Sequence, residues 1–214
     1  MAWSAENATK AYLRALKSGN KAMEPNVAEF VSALAAGSSA RLMVEACSDA
    51  AGPTTLALIA AAHQTGGRIV CIVAGPDELH SSIESLGPEA DRVELVVGDA
   101  RTLLLGEYRG ADFVMVDCEL EDHKWVFTAA QAGAMEACGG LVVGYNAFRE
   151  RSWPSGGGGS GGLRVDLLPI GGGLRVCRVP PGAKRSQWVV RVDEFTGEEH
   201  VFRITTPRRK RIGA

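Results

Sequence analysis

The sequence predicts a doubly wound α/β fold, in which a mostly parallel, seven-stranded sheet carries helices on both faces and ends in an antiparallel hairpin. Short, β-branched apolar runs alternate with helical patterns through the first two thirds of the 214 residues. These runs are almost continuously apolar, as strands buried on both faces must be. Glycine-centred turns separate the last apolar runs, which is typical of hairpins.

Five apolar runs are predicted to form the parallel strands. A helical pattern follows each of the first four, so right-handed crossovers place helices on both faces of the sheet. The predicted strands cover residues 40–47, 68–74, 92–98, 112–118 and 139–146. The predicted crossover helices cover residues 53–64, 77–87, 100–108 and 121–140.

The composition changes after the fifth predicted strand. Residues 152–162 are mostly glycine and serine, which indicates a flexible loop. Residues 163–180 predict two strands around a turn of three glycines, and these strands extend the sheet as an antiparallel edge.

A second hairpin is predicted near the end of the chain, over residues 187–204, with its turn at Thr196 and Gly197. We therefore expect a main domain over residues 1–182. Residues 183–214 are expected to form a hairpin extension with a basic tail.

The charge and the cysteines restrict the class of protein. A formal net charge of -2 argues against a nucleic-acid partner. The first residues alternate charged and apolar positions, which argues against a secretory signal or a membrane span. We expect a cytoplasmic protein, with the nucleus as the alternative because residues 208–211 are basic. Reduced, buried thiols are expected because no CxxC or Cys/His spacing is present among Cys47, Cys71, Cys118, Cys138 and Cys177.

Several stretches resemble one group of enzymes in order and spacing. They are VEACSDAAGPTTLAL, VELVVGDA, DFVMVDCELEDHKW, GGLVVGYN and LLPIGGGLRVCR, within residues 24–179. This part of the chain is similar to the S-adenosylmethionine-dependent methyltransferases, which have a Rossmann-like fold, and within them to the caffeoyl-CoA and catechol O-methyltransferase group. The closing GEEHVFRI also resembles the ending of a plant family of methyltransferase-like proteins of unassigned function.

The resemblance implies that S-adenosylmethionine binds in the cleft at the carboxyl ends of the strands. Glu45 matches the acid of the cofactor motif, Gly52 matches its last glycine, and Thr54 falls where a hydroxyl commonly caps the next helix. Cys47 stands in place of the first motif glycine. The residues that the resemblance places around the cofactor are Glu45, Ala46, Cys47, Gly52, Thr54, Asp99, Ala100 and Asp117.

The second strand departs from the family pattern. Family members end it with an acid that binds the ribose hydroxyls, whereas the aligned residue here is Val73, with Asp77 and Glu78 further on. Losing such an acceptor typically costs about 1.5 to 3 kcal/mol of binding. We therefore expect a weakened cofactor site. Asp99 either accepts a hydrogen bond from the adenine or caps the helix that follows.

The resemblance also suggests how catalysis would be organised. The related O-methyltransferases hold a divalent cation with two acids and an asparagine, and this chain has Asp117 and Asn146 but Tyr145 in place of the second acid. We therefore expect no divalent metal. His123 is the candidate general base, with a solvated surface residue as the alternative. Asp117 and His123 are thus the candidate catalytic residues.

Two functions remain open from the sequence. The first is methyl transfer to the oxygen of an unidentified small molecule, with Trp3, Trp125 and Trp153 either lining the acceptor pocket or packing in the core. The second is a catalytically inactive methyltransferase fold that serves as a scaffold or binds another ligand. Relatives are often dimers, so the resemblance leaves a homodimer open.

Overall fold

The computed structural model describes residues 3–18, 26–148, 163–182, 186–192 and 199–205. The chain divides into two compact units, Met1–Pro181 and Gly182–Ala214. Four predicted features lie outside the described residues: the loop at 152–162, Trp153, the turn at Thr196 and Gly197, and the basic tail.

The first unit is built on a seven-stranded sheet. Its strands are β1 (Leu42–Ala46), β2 (Arg68–Val73), β3 (Glu94–Val97), β4 (Phe113–Asp117), β5 (Gly140–Tyr145), β6 (Val165–Leu168) and β7 (Leu174–Val179). They lie in the order β3-β2-β1-β4-β5-β7-β6. The first five strands are parallel, and β7 pairs antiparallel with both β5 and β6. The predicted fold class is confirmed.

Six α-helices accompany the sheet in the described part of this unit, with a 3₁₀ turn at Gly87–Arg92 after the fourth. They are α1 (Ala5–Ser18), α2 (Val27–Gly37), α3 (Pro53–Thr65), α4 (Pro76–Leu86), α5 (Ala100–Leu105) and α6 (His123–Glu136). Proline at the first position of α3 and α4 favours helix initiation, because that residue needs no hydrogen-bond donor. The predicted helix over 100–108 is shorter because Gly106 ends it.

The two faces of the sheet bury separate apolar cores. Neighbouring strand residues point to opposite faces, so Met43 and Met115 pack with helices α2 and α3, whereas Val44 and Val114 pack with α5 and α6. Since α3 follows β1 on one face and α6 follows β4 on the other, the connections diverge where these neighbouring strands end. A crevice at such a switch point is where ligands bind in this class of sheet.

The second unit contains a two-stranded antiparallel pair. Strand β8 (Ser186–Val192) pairs with β9 (Glu199–Thr205), with Val190 opposite Val201. The two strands of the predicted second hairpin are therefore present. Across the described ranges of both units, no helix has the length and apolar character needed to cross a membrane.

Candidate functional site

Glu45 lies on β1 and is fully buried. Thr54 Oγ1 donates to Glu45 Oε1 at 2.5 Å, and Thr55 Oγ1 donates to Oε2 at 2.7 Å. Burial raises the pKa of Glu45, the hydroxyls oppose that effect, and the negative charge of Asp117 adds to it. Glu45 is therefore a buried acid that two hydroxyls hold in a fixed position.

The helix cap differs from the expectation for Thr54. Gly52 is the N-cap of α3 and Pro53 is the first helical residue, so Thr54 lies inside the first turn and its hydroxyl points to Glu45. The prediction that Thr54 caps the helix is wrong. Thr55, which the sequence did not single out, accepts from the Gly52 N–H at 3.2 Å.

The turn between β1 and α3 is tied to helix α4. The N–H of Ala51 donates to Ser82 Oγ at 2.8 Å, and the Ser82 hydroxyl donates to the Glu78 carbonyl at 2.6 Å. In contrast, a Cβ built on Gly52 would have no atom within 4 Å. The turn therefore has a fixed backbone and an open approach at its glycine.

Cys47 and Cys71 contact each other beneath this turn. Their sulfurs are 3.2 Å apart, and the residues are 4% and 0% exposed. The contact with Cys71 and burial together raise the pKa of Cys47 well above its usual value. Val73, at the end of β2, is also buried. Cys47 and Val73 therefore place a thiol and an apolar side chain at the positions where the family pattern has a glycine and an acid.

The carboxylate of Glu78 lies close to the end of β2. Its Oε2 is 2.9 Å from the position that a Cβ on Gly75 would take, so the side chain folds back over Gly75. Asp77, its neighbour in the first turn of α4, is exposed, whereas Glu78 is half-buried. Glu78 thus brings an acid to within two residues of the site where Val73 provides none.

Asp117 ends β4 and is buried. Its Oδ2 accepts from Ser48 Oγ at 2.5 Å, and its Oδ1 accepts from Asn146 Nδ2 at 2.9 Å and from the Glu119 N–H at 3.0 Å. Asn146 has a φ of +59°, a left-handed conformation that asparagine tolerates better than most residues. Gly172 permits this arrangement, because a Cβ there would lie 2.9 Å from Asn146 Oδ1.

Negative charges around the switch point raise the pKa values of neighbouring acidic groups. Burial raises the pKa of Tyr145 well above its usual value, and the negative charge of Glu45 adds to this effect. Among the residues that the structure describes, the charge that acts on Glu45 is the negative charge of Asp117, a second acid. Glu45, Asp117, Cys47 and Tyr145 therefore form a buried group in which every ionisation adds negative charge.

His123 is the first residue of α6 and is buried. Its Nδ1 lies 2.6 Å from the Leu120 carbonyl oxygen, so Nδ1 carries the proton and donates. The alternative of a solvated surface histidine is wrong, because only 6% of His123 is exposed. The proposed role as general base stays a prediction.

Asp99 caps the next helix. Its Oδ1 accepts from the Thr102 N–H at 2.7 Å, and these hydrogen bonds lower the pKa of Asp99. Asp99 is exposed, and Ala100 is the first residue of α5. The capping alternative is thus observed, while the adenine contact stays a prediction. Ala46 is fully buried and packs in the core on the opposite face from Glu45. Its contact with the cofactor stays a prediction.

A comparison with protein families identifies the chain. The family described as "Protein of unknown function (DUF1442)" matches residues 1–204. The chain belongs to this family. No curated protein matches it.

Solved structures support the same fold for the DUF1442 protein. Cofactor-bound Rv0187 from MTB has a TM-score of 0.60 and 24% identity, over 83% of this chain and 91% of that chain. The SAH-bound methyltransferase PaMTH1 from Podospora anserina has a TM-score of 0.59 and 16% identity, over 83% and 89%. A candidate caffeoyl-CoA O-methyltransferase from Staphylococcus aureus has a TM-score of 0.57 and 11% identity, over 82% and 93%. These likenesses establish the methyltransferase fold.

Metal-ligating atoms occur together at one place in the described part of the DUF1442 chain. Donor atoms of Glu45, Cys47 and Cys71 lie within 4.8 Å of one another. The Glu45 oxygens already accept from hydroxyls, and the thiols contact each other. Asp117 and Asn146, the remaining candidates for a divalent cation, bond to each other. The expectation of no divalent metal stays a prediction.

The structure separates Trp3 and Trp125, for which the sequence left open an acceptor pocket or packing in the core. Trp125 lies at the carboxyl edge in the first turn of α6, is 62% exposed, and carries the Arg101 guanidinium 5.4 Å from its ring centre. Trp3 packs instead against Gly37. It lines a cavity of about 750 Å³ with Leu141, at the amino end of β5. The two rings therefore cannot line one pocket.

The prediction that all five thiols are buried also needs a correction, because Cys138 is exposed whereas the other four thiols are buried.

Proposed function

We propose that this DUF1442 protein binds S-adenosylmethionine, or its product S-adenosylhomocysteine, where β1 and β4 end, and transfers a methyl group to an oxygen of a small acceptor. Its fold is that of a cofactor-bound protein and of an SAH-bound methyltransferase. Fold likeness alone does not assign activity, so the proposal depends on the residues at the switch point.

The buried acid pair carries the proposal. Glu45 and Asp117 lie together away from water, and the charge that acts on Glu45 within the described residues is that second acid. Burying carboxylates without a counter-charge is costly, so a cationic ligand gains free energy by entering. S-adenosylmethionine carries both an ammonium and a sulfonium group. The site therefore has the electrostatic character that this ligand requires.

The remaining groups of the ligand can be matched to nearby residues. The open approach at Gly52 leaves space for the amino acid portion, and Thr54 offers a hydroxyl beside Glu45. The Glu78 carboxylate, which folds over Gly75 two residues after the end of β2, could accept from ribose hydroxyls. Asp99 and Ala100, at the start of α5, would contact the adenine. When bound, the cofactor supplies the activated methyl group.

A protein that binds the ligand without transferring a methyl group is the second candidate. Both oxygens of Asp117 accept hydrogen bonds within the protein. Asp117 therefore cannot take a proton from an acceptor hydroxyl without rearrangement.

Calorimetric titration of the purified protein with S-adenosylhomocysteine and S-adenosylmethionine tests the binding. We expect heat with both ligands, and a loss of about tenfold or more in affinity for Glu45→Gln, because a charge-assisted contact disappears. The matched control is Glu84→Gln, since Glu84 is exposed on α4. Absence of heat at millimolar ligand would rule out the proposal.

Methyl transfer decides between the two candidates. Labelled S-adenosylmethionine is incubated with the protein and a panel of phenols and catechols, and label in the organic phase is counted. An enzyme transfers label to at least one acceptor class, and Asp117→Asn removes that transfer. Binding without transfer across the panel supports the second candidate.

A further inference from the structure

We propose that Cys47 and Cys71 are a site of reversible oxidation, at which a hydroperoxide converts the two thiols into a disulfide that ties the turn after β1 to strand β2. The inference is independent of the proposed function. It depends on the contact between two sulfurs that the chain brings together from positions 24 residues apart.

The geometry already places the two sulfurs in contact. They are 3.2 Å apart, and a disulfide requires about 2.05 Å, so the bond forms after a closure of roughly one ångström. Cys71 is held within β2, where it pairs with Glu45 of β1. Cys47 follows the end of β1 and its N–H donates to the Ile72 carbonyl at 3.0 Å. A small adjustment of the Cys47 side chain is therefore enough.

The reaction can be written with all atoms balanced. The Cys47 thiolate attacks a peroxide oxygen, the O–O bond breaks, and the proton that the thiol released passes to the departing oxygen; the products are a Cys47 sulfenic acid and the alcohol, or water if the oxidant is hydrogen peroxide. The Cys71 thiol then attacks the Cys47 sulfur, the S–S bond forms, and water leaves. Two thiols lose two electrons and two protons, and the peroxide is reduced. Cys47 reacts first because it is the one of the pair with any exposure, at 4%, and it lies in the same turn as the open Gly52.

The surroundings determine the rate and the product. The raised pKa of Cys47 keeps the thiolate fraction small at neutral pH, so oxidation is slow and responds to sustained oxidant. Once the sulfenic acid forms, Cys71 is the neighbouring thiol, which favours the disulfide over further oxidation. Closing this loop restricts the unfolded chain, so the oxidised protein melts at a higher temperature.

The test uses the full-length protein carrying Cys138→Ser, which removes the exposed thiol that would react first. The folded protein is incubated with hydrogen peroxide, the remaining thiols are alkylated after denaturation, and peptides are mapped by mass spectrometry. We expect a linked peptide pair containing Cys47 and Cys71 and lacking two hydrogens, reversal by a reductant, and an upward shift of several degrees in Tm. Cys118 and Cys177, which are buried elsewhere, should be alkylated to the same extent as in the untreated protein.

Cys71→Ala in the Cys138→Ser background is the matched control. It should show neither the linked peptides nor the shift in Tm. Recovery of Cys47 and Cys71 as free thiols in the treated protein would overturn the proposal, as would their conversion to sulfinic or sulfonic acids without a link. Because peptide mapping needs only the Cys138→Ser protein, the result holds even where the control variant fails to fold.

Discussion

At the scale of single residues, the site depends on a carboxyl group that is buried before any ligand arrives. Taking Glu45 out of water raises its pKa, and two threonine hydroxyls recover part of the cost. Polar groups that are fixed in this way act in a low-dielectric environment, where an oppositely charged ligand interacts more strongly than it would at the surface.

The pH dependence of stability should report this carboxyl group. The folded protein keeps the Glu45 proton at pH values where the unfolded chain, with an ordinary pKa of 4.5, has lost it. The free energy of unfolding therefore falls as the pH rises from 4.5 to the raised pKa, and levels off above it. Urea unfolding across this range should show the fall in the native protein. Glu45→Gln should lack that component, and an unchanged slope in the variant would contradict the prediction.

Glu78 provides a second test at this scale. If its carboxylate accepts from the ribose, Glu78→Gln should weaken binding of S-adenosylhomocysteine by about tenfold. Asp77→Asn removes the same charge from the same helical turn, but from an exposed side chain, so it should change the affinity little. Equal effects of the two substitutions in calorimetry would show that only the charge at the start of α4 matters.

The sequence identifies some of these residues and misses others for a definable reason. Glu45 and Gly52 are found because they match the cofactor motif of the family that the sequence resembles, one within β1 and the other just before α3. Ser48 and Ser82 are missed because their partners lie 69 and 31 residues away, and only the folded chain brings them together. Serine is common on surfaces, so its type alone gives no signal.

At the scale of elements, helix α4 supports the turn after β1 as well as covering the sheet. The N–H of Ala51 is buried and depends on the hydroxyl of Ser82, which is itself buried. The position of the turn is therefore coupled to the position of this helix. The alternation of strands and crossover helices was predictable from apolar periodicity, whereas this coupling between loop and helix was not.

Removing the Ser82 hydroxyl should lower the stability of the fold. Ser82→Ala leaves the buried Ala51 N–H without its acceptor, which typically costs about 1 to 3 kcal/mol of unfolding free energy. Ser81→Ala changes the exposed neighbour on the same helix and should be nearly neutral. Urea unfolding of the two variants measures the difference. Similar stabilities would show that the turn does not depend on α4.

At the scale of the whole molecule, the first unit contains the complete seven-stranded sheet and every residue proposed to bind the ligand. The fold was predictable because buried parallel strands leave a strong apolar pattern in the sequence. The arrangement of the tryptophans was not, since Trp3 and Trp125 belong to opposite ends of the sheet that only the tertiary structure defines.

A chain ending at Pro181 should therefore fold and bind by itself. We expect it to retain S-adenosylhomocysteine affinity within about twofold of the full chain, because no proposed ligand contact comes from Gly182–Ala214. Calorimetry and sedimentation of both chains measure affinity and oligomeric state, including the homodimer that the resemblance leaves open. A truncated chain that folds but loses affinity would assign a binding role to the second unit.

The cavity lined by Trp3 and Leu141 has a practical consequence for inhibitor discovery. It opens at the amino end of β5, whereas Glu45 and Asp117 lie where β1 and β4 finish. A compound seated there would not compete for the site proposed for S-adenosylhomocysteine, so screening by displacement alone would discard it. Fragment screening with a direct readout, such as changes in tryptophan fluorescence, would retain such compounds.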